Sequence, residues 1–382
     1  MCGAWVTLLP DLFAQSAMGA GVLCIATRAL GTAISGRVKK DSNLISDALN
    51  LVCGGLQALR AVLDEPEKLC DVEVLAASMC LNITEVLLGT SHDGWSVHVH
   101  GIAELIMNRG PAKFSTGIAH QLFTSFRIFM LLEFIQKRKS TFLSDAEWLS
   151  IPSSIGPKSS MQTLLDSASP LPGLLEKLDL LRKNQFAVDY AACQEIYVAL
   201  ETVQGDLRNW EDQLMTGHGS PLWWPVSSAV SKSKGEAEEE PVFTISYHFP
   251  NILIANTMTH YWAFSAITQS TLSRLEELPN LDLFHSTLNC RSKHISDYAK
   301  TSEDLTILAS NICASMTYLM HPSQKLYGPA STFFPLWIAL QIFQRDTSPE
   351  SKKKELWCLK LIEELEERGL PLAGYLVGCP GI

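Results

Sequence analysis

Ser42-Asn43-Leu44-Ile45-Ser46-Asp47-Ala48-Leu49-Asn50-Leu51-Val52-Cys53-Gly54-Gly55-Leu56-Gln57-Ala58-Leu59-Arg60-Ala61-Val62 decides the fold class. Its apolar residues at Leu44, Ile45, Ala48, Leu49, Val52, Leu56, Leu59 and Val62 recur in steps of three and four, the spacing of one helix face. Asp41 or Ser42 is placed to cap its N-terminus. The pattern repeats over Asp71–Leu88, with Gly89 as a stop. Working outward, helices are predicted over Trp95–Asn108, Ala119–Lys137, Leu174–Arg182, Val188–Leu214, Ile252–Leu278, Ser302–Met320, Thr332–Phe343 and Pro349–Arg368, the last closed by Gly369. Only Val242–Phe249 alternates as a strand does. So few strands exclude a doubly wound or barrel fold. The expectation is all-α, one large helical domain over residues 1–382, with one long mobile internal loop at 216–241. That loop carries Gly217, Gly219, Pro221, Pro225 and the charged tract 232–240, too polar to bury. Trp223 and Trp224 are expected to anchor it. Ser150–Ser169, with Pro152 and Pro157, is read as a surface connection.

The chain has 382 residues, 47% apolar and 18% charged, which excludes wholesale disorder. Acidic residues exceed basic ones 40 to 30, giving −10. A nucleic-acid-binding body would present a basic face instead, so no direct nucleic-acid binding is expected. The ten cysteines are scattered with no C-x2-C pair, as for free thiols in a reducing compartment. No basic residue precedes the first apolar stretch, so no secretory leader is expected. The weakly polar run Ala17–Ile34 contains Arg28 and reads as a buried helix rather than a membrane span. Together these predict an intracellular protein. Asn82-Ile83-Thr84 matches a glycosylation acceptor by chance, within a helical pattern.

The densest chemistry lies in His92-Asp93-Gly94-Trp95-Ser96-Val97-His98-Val99-His100-Gly101-Ile102-Ala103-Glu104. His98 and His100 are two apart and point to different helix faces. His100 and Glu104 are four apart, but two ligands do not make a metal site, and no metal is expected. Gly217-His218-Gly219-Ser220 lacks the nucleophile elbow of hydrolases. Gly19-Ala20-Gly21 lacks the third glycine and the strand of a dinucleotide site, and no phosphate-binding loop occurs, so no cofactor is expected. Tyr247-His248-Phe249-Pro250 and His260-Tyr261-Trp262 are aromatic enough to line a pocket, with Asn256 and His260 one helical turn apart.

The segments also occur in a recognisable order. Trp95-x2-His98-x2-Gly101 is followed by Leu105-Ile106-Met107-Asn108-Arg109-Gly110-Pro111. Next come His120-Gln121-Leu122-Phe123, Arg127, and Phe142-Leu143-Ser144-x2-Glu147-Trp148-x2-Ile151-Pro152. Ala255-x5-Tyr261-Trp262, Phe334-Pro335-Leu336-x2-Ala339, Lys354-Glu355-Leu356-Trp357 and Arg368-Gly369-Leu370-Pro371-Leu372-Ala373 come last. This set resembles the all-helical regulatory domain of fungal zinc binuclear-cluster transcription factors, the fungal-specific transcription factor domain, over nearly the whole chain. The six closely spaced cysteines of that family's DNA-binding module do not occur in these residues.

The resemblance implies a nuclear regulator of a fungal gene set, such as a secondary-metabolite biosynthetic cluster. It would act through protein partners, full-length transcription factors among them, or through a small-molecule effector. No membrane association is expected. The alternative is an enzyme of cyclase or isomerase type on the same fold. For that reading His98 or His100 is the acid/base and Arg127 an anion or carbonyl clamp. Trp148, Asn256, His260 and Trp262 are the pocket candidates.

Overall fold

A computed structural model describes residues 4–15, 21–65, 71–91, 93–183, 189–227, 241–276 and 295–375. Its longer helices are α1 (Val22–Lys39), α2 (Ser42–Leu63), α3 (Val72–Leu88), α4 (Gly94–Arg109), α5 (Gly117–Lys137), α6 (Ser160–Ala168), α7 (Leu171–Lys183), α8 (Tyr190–His218), α9 (Ile252–Glu276), α10 (Ile295–Ala314), α11 (Phe333–Arg345) and α12 (Pro349–Glu367). Short helical turns connect several of them. The only strands among the described residues are β1 (Trp224–Ser227) and β2 (Ile245–His248). The protein is all-α, as the periodicity predicts. Its contacts divide it into two compact units, one of residues up to 134, 141–158 and 362–375, the other of residues 135–140 and 159–361.

In the first unit, α1 packs along both α2 and α3, and α3 packs on α4. Asp41 caps α2 as expected. Its carboxylate accepts from the amides of Asn43 at 2.9 Å and Leu44 at 3.4 Å, a contribution of about 1 kcal/mol. Gly36 lets α1 and α2 close up, because a Cβ there would meet Ile45 Cδ1 at 2.8 Å. Helix α3 is buried nearly all round, from Val74 to Leu88. It stops where Gly89 turns to φ +60°. The Arg37 guanidinium donates to the carbonyls of Leu87 at 2.7 Å and Leu88 at 3.4 Å, placing a cation at the negative end of that helix. Gly369, at φ +89°, crosses the Arg37 aliphatic stem. Asn82 of the chance acceptor triplet is fully buried.

In the second unit, α9 is the central helix. It packs on α8, α10 and α11, and its residues Ala255–Thr268 are buried on every side. Hydroxyls on it are satisfied locally: Thr259, Thr268 and Thr271 each donate to the carbonyl four residues back. Arg138 forms a bidentate pair with Asp179 at 2.7 and 2.8 Å. The hairpin pairs Trp224 with His248 and Ser227 with Ile245.

Two expectations need correction. Ser150–Ser169 contains helix α6, begun by Ser159, whose hydroxyl accepts from the Gln162 amide at 3.4 Å. Leu164, Leu165 and Ala168 are its buried face. Ser159 thus caps a helix inside the expected connection. Within the expected loop 216–241, α8 runs on to His218, Gly219 ends it in the left-handed region, and residues 224–227 are a strand. Residues 228–240 lie outside the described ones. Trp223 does anchor this segment, edge-on to Trp262 at 5.4 Å, whereas Trp224 remains 43% exposed. Among the described residues, α5 is long and apolar enough to cross a bilayer, and most of it is buried in the fold.

Candidate functional site

A cleft of about 250 Å³ opens in the first unit. Leu59 and Leu63 of α2, Ser78 of α3, and Val97, His98, Gly101, Ile102, Glu104, Leu105 and Asn108 of α4 line it. The α4 residues form one stripe along the helix, set by the 3.6-residue repeat. Gly101 lies in the middle of the stripe, and a Cβ built on it would meet nothing within 4 Å. The floor is apolar. The Ser78 hydroxyl donates to the Val74 carbonyl at 2.9 Å and keeps its lone pairs.

Helix α4 is set in place by Glu85 at the end of α3. This buried carboxylate accepts from the Thr90 hydroxyl at 2.6 Å and the Ser91 amide at 3.1 Å. A Cβ at Gly94 would collide with it. Burial lowers the His98 pKa below its ordinary value, and the Glu85 charge opposes that shift in part. His98 is therefore neutral at pH 7. No hydrogen bond joins its imidazole to another described residue.

The other sequence candidates lie elsewhere. His100 points away from the cleft, as its two-residue offset from His98 requires. Its Nδ1 is 2.8 Å from the Ser96 carbonyl, and its ring meets Phe134 edge-on at 5.2 Å. Glu133 is buried 3.9 Å from that nitrogen and accepts from the Ser96 hydroxyl at 2.5 Å. Arg127 is buried in α5 and is not part of the cleft lining. Trp148 sits in an aromatic cluster with Phe142 at 4.6 Å, Phe123 at 5.6 Å and Phe114 at 6.0 Å. It is a core residue there.

Asn256, His260 and Trp262 belong to the second unit. Asn256 donates to the Tyr327 hydroxyl at 3.1 Å, and its Oδ1 finds no donor among the described residues. His260 Nδ1 donates to the Asn256 carbonyl at 2.7 Å, and its ring stacks on Phe334 at 6.1 Å with planes 5° apart. Burial depresses its pKa to about 4, against the hydrogen bond to Asn256. Trp262 packs between Trp223 and Tyr247. These three side chains fill the interior of the second unit. No group of three or more His, Cys, Asp or Glu among the described residues is placed to hold a metal.

Sequence reasoning missed Leu59, Leu63 and Ser78, which reach the cleft only through packing of α2 and α3. It also missed Glu85. The mid-helix Gly101 was the legible signal, since glycine there costs about 1 kcal/mol relative to alanine without a packing reason.

No known family profile matches the chain, and no solved structure matches it. The chain is similar to the uncharacterized protein AN5342 of Emericella nidulans, at 25% identity over 195 residues, 47% of this chain and 42% of that protein. The matched region thus spans less than half the length of this fungal relative.

Proposed function

We propose that the chain is a transcription-factor-like regulator of a fungal gene set, such as a secondary-metabolite cluster. It acts in the nucleus through protein partners or an effector. The observation that carries this reading is the scatter of the polar candidates. A cyclase or isomerase needs acid/base groups converging on an enclosed reactant. Of those candidates only His98 reaches the cleft, where Glu104 is the other ionisable group of the lining. His100 is turned to Phe134, Arg127 is buried outside the lining, and His260 is stacked in a core. One imidazole and one exposed carboxylate at an open, mostly apolar cleft suit binding. The all-helical architecture, the charge of −10 and the fungal relative support the same reading.

Chromatin immunoprecipitation of the tagged chain in its fungus tests it. Enrichment at a limited set of promoters is expected, lost when a co-purifying zinc-cluster factor is deleted. No enrichment above an untagged control overturns the reading. So does conversion of an extract component by the purified chain, if His98→Gln abolishes it with the fold intact.

A further inference from the structure

The cleft between α2, α3 and α4 is an open, mostly apolar hollow of about 250 Å³. We propose that it binds a compact apolar ligand that carries no anionic group and presents a hydroxyl or amine, held by the His98 imidazole over a floor of Leu59, Leu63, Ile102 and Ser78.

Size selects the class. At about 250 Å³ the cleft lies just below the range usual for drug-sized ligands. A body of two or three fused or linked rings fits it, and a larger metabolite does not. The walls are mostly aliphatic, so most of the affinity comes from burying apolar surface.

The polar groups select the handle. His98 is half-buried, neutral, and joined by no hydrogen bond to any other described residue. A neutral imidazole offers one N–H donor and one acceptor nitrogen. A hydroxyl can use either. Ser78 has spent its proton on the Val74 carbonyl, so it adds a further acceptor. The charge at the rim disfavours an anionic ligand. Glu104 is the only charged residue in the lining, and no Lys or Arg accompanies it. A ligand carboxylate would meet a like charge with no compensating cation.

Gly101 gives the test its control. With nothing within 4 Å of a Cβ there, a side chain at this lining position meets open space rather than a packed wall. Replacing a helical glycine also strengthens the helix. Gly101→Leu therefore fills the site while leaving the fold as stable or more so, and Gly101→Ala narrows it less.

The experiment titrates the full chain with N-phenyl-1-naphthylamine, a neutral fluorescent probe, followed by displacement with 2-naphthol, naphthalene and 2-naphthoate. Saturable binding of one probe per chain with a micromolar Kd is expected. 2-Naphthol should displace it best and 2-naphthoate at least about tenfold less well. Gly101→Leu should weaken the probe at least about tenfold at an unchanged or higher melting temperature. His98→Leu should erase the preference for 2-naphthol over naphthalene. Unsaturable probe uptake, equal competition by 2-naphthoate, or wild-type affinity in both Gly101 variants would overturn the proposal. These outcomes are separate from chromatin recruitment, so the site and the regulatory reading can fail independently.

Discussion

Helices α4 and α9 both carry histidine near tryptophan, and His98 and His260 have opposite fates. Helix α4 buries a single stripe, Val99, Ile102, Ala103 and Ile106, and leaves His98 at an open cleft. Helix α9 is enclosed by α8, α10 and α11, and His260 stacks on Phe334 with its Nδ1 fixed by Asn256. The residue type is the same. What differs is how many sides of the helix are covered. A histidine stays open to a ligand only where packing leaves space beside its ring.

The largest test of this contrast is truncation. Phe264→Ala in α9 removes a fully buried ring that touches both His260 and Phe334. It should cost about 3–5 kcal/mol in urea denaturation. Val97→Ala in α4, at a residue 68% exposed, should stay within about 0.5 kcal/mol. A comparable loss at Val97 would mean that the cleft is occupied by protein.

Acidification comes next. The unfolded His260 titrates near 6.5 and the folded one at about 4. Between those values the unfolded chain binds the extra proton, so stability falls as pH drops through that window. The wild type should lose about 2 kcal/mol between pH 7 and pH 5 through this group. His260→Gln should be flatter by that amount in urea midpoints measured at both pH values. His98, also lowered by burial, has the same sign. An unchanged pH slope in the His260 variant would show that the α9 histidine is hydrated.

Tyr261→Phe should cost about 1.5 kcal/mol, because the phenol donates to the Glu211 carboxylate at 2.6 Å. Burial raises the Glu211 pKa, and the Tyr261 bond pulls it down, so the lost donor leaves that carboxylate poorly solvated. The smallest effect is of opposite sign. Gly101→Ala should stabilise by up to about 1 kcal/mol in thermal melts. A loss there would place an unseen neighbour against the glycine.

Much of this was legible in advance where the signal is local. Asp41, Gly89 and Gly369 were read as helix punctuation, and each marks a helix start or end. The divergence of His98 and His100 follows from two residues of helical rotation. The aromatic candidates were not resolved this way. Trp148 meets Phe114, Phe123 and Phe142, and His260 meets Phe334, 74 positions away in the chain. Whether an aromatic residue lines a pocket or fills a core depends on those distant partners, which periodicity does not report. Ser159 lies in a stretch that reads as a connection, because capping and loop formation use the same residue types.

The sequence by itself determined an all-α chain, where most helices begin and end, and which residues share a helix face. These follow from backbone hydrogen bonding and a 3.6-residue repeat, which act over a few residues. Only the tertiary structure decided that α4 keeps one side open and α9 none. It also brought Leu59, Leu63 and Ser78 from two other helices to face His98. Enclosure is set by the volume that neighbouring helices occupy, a property of their packing that no single segment encodes.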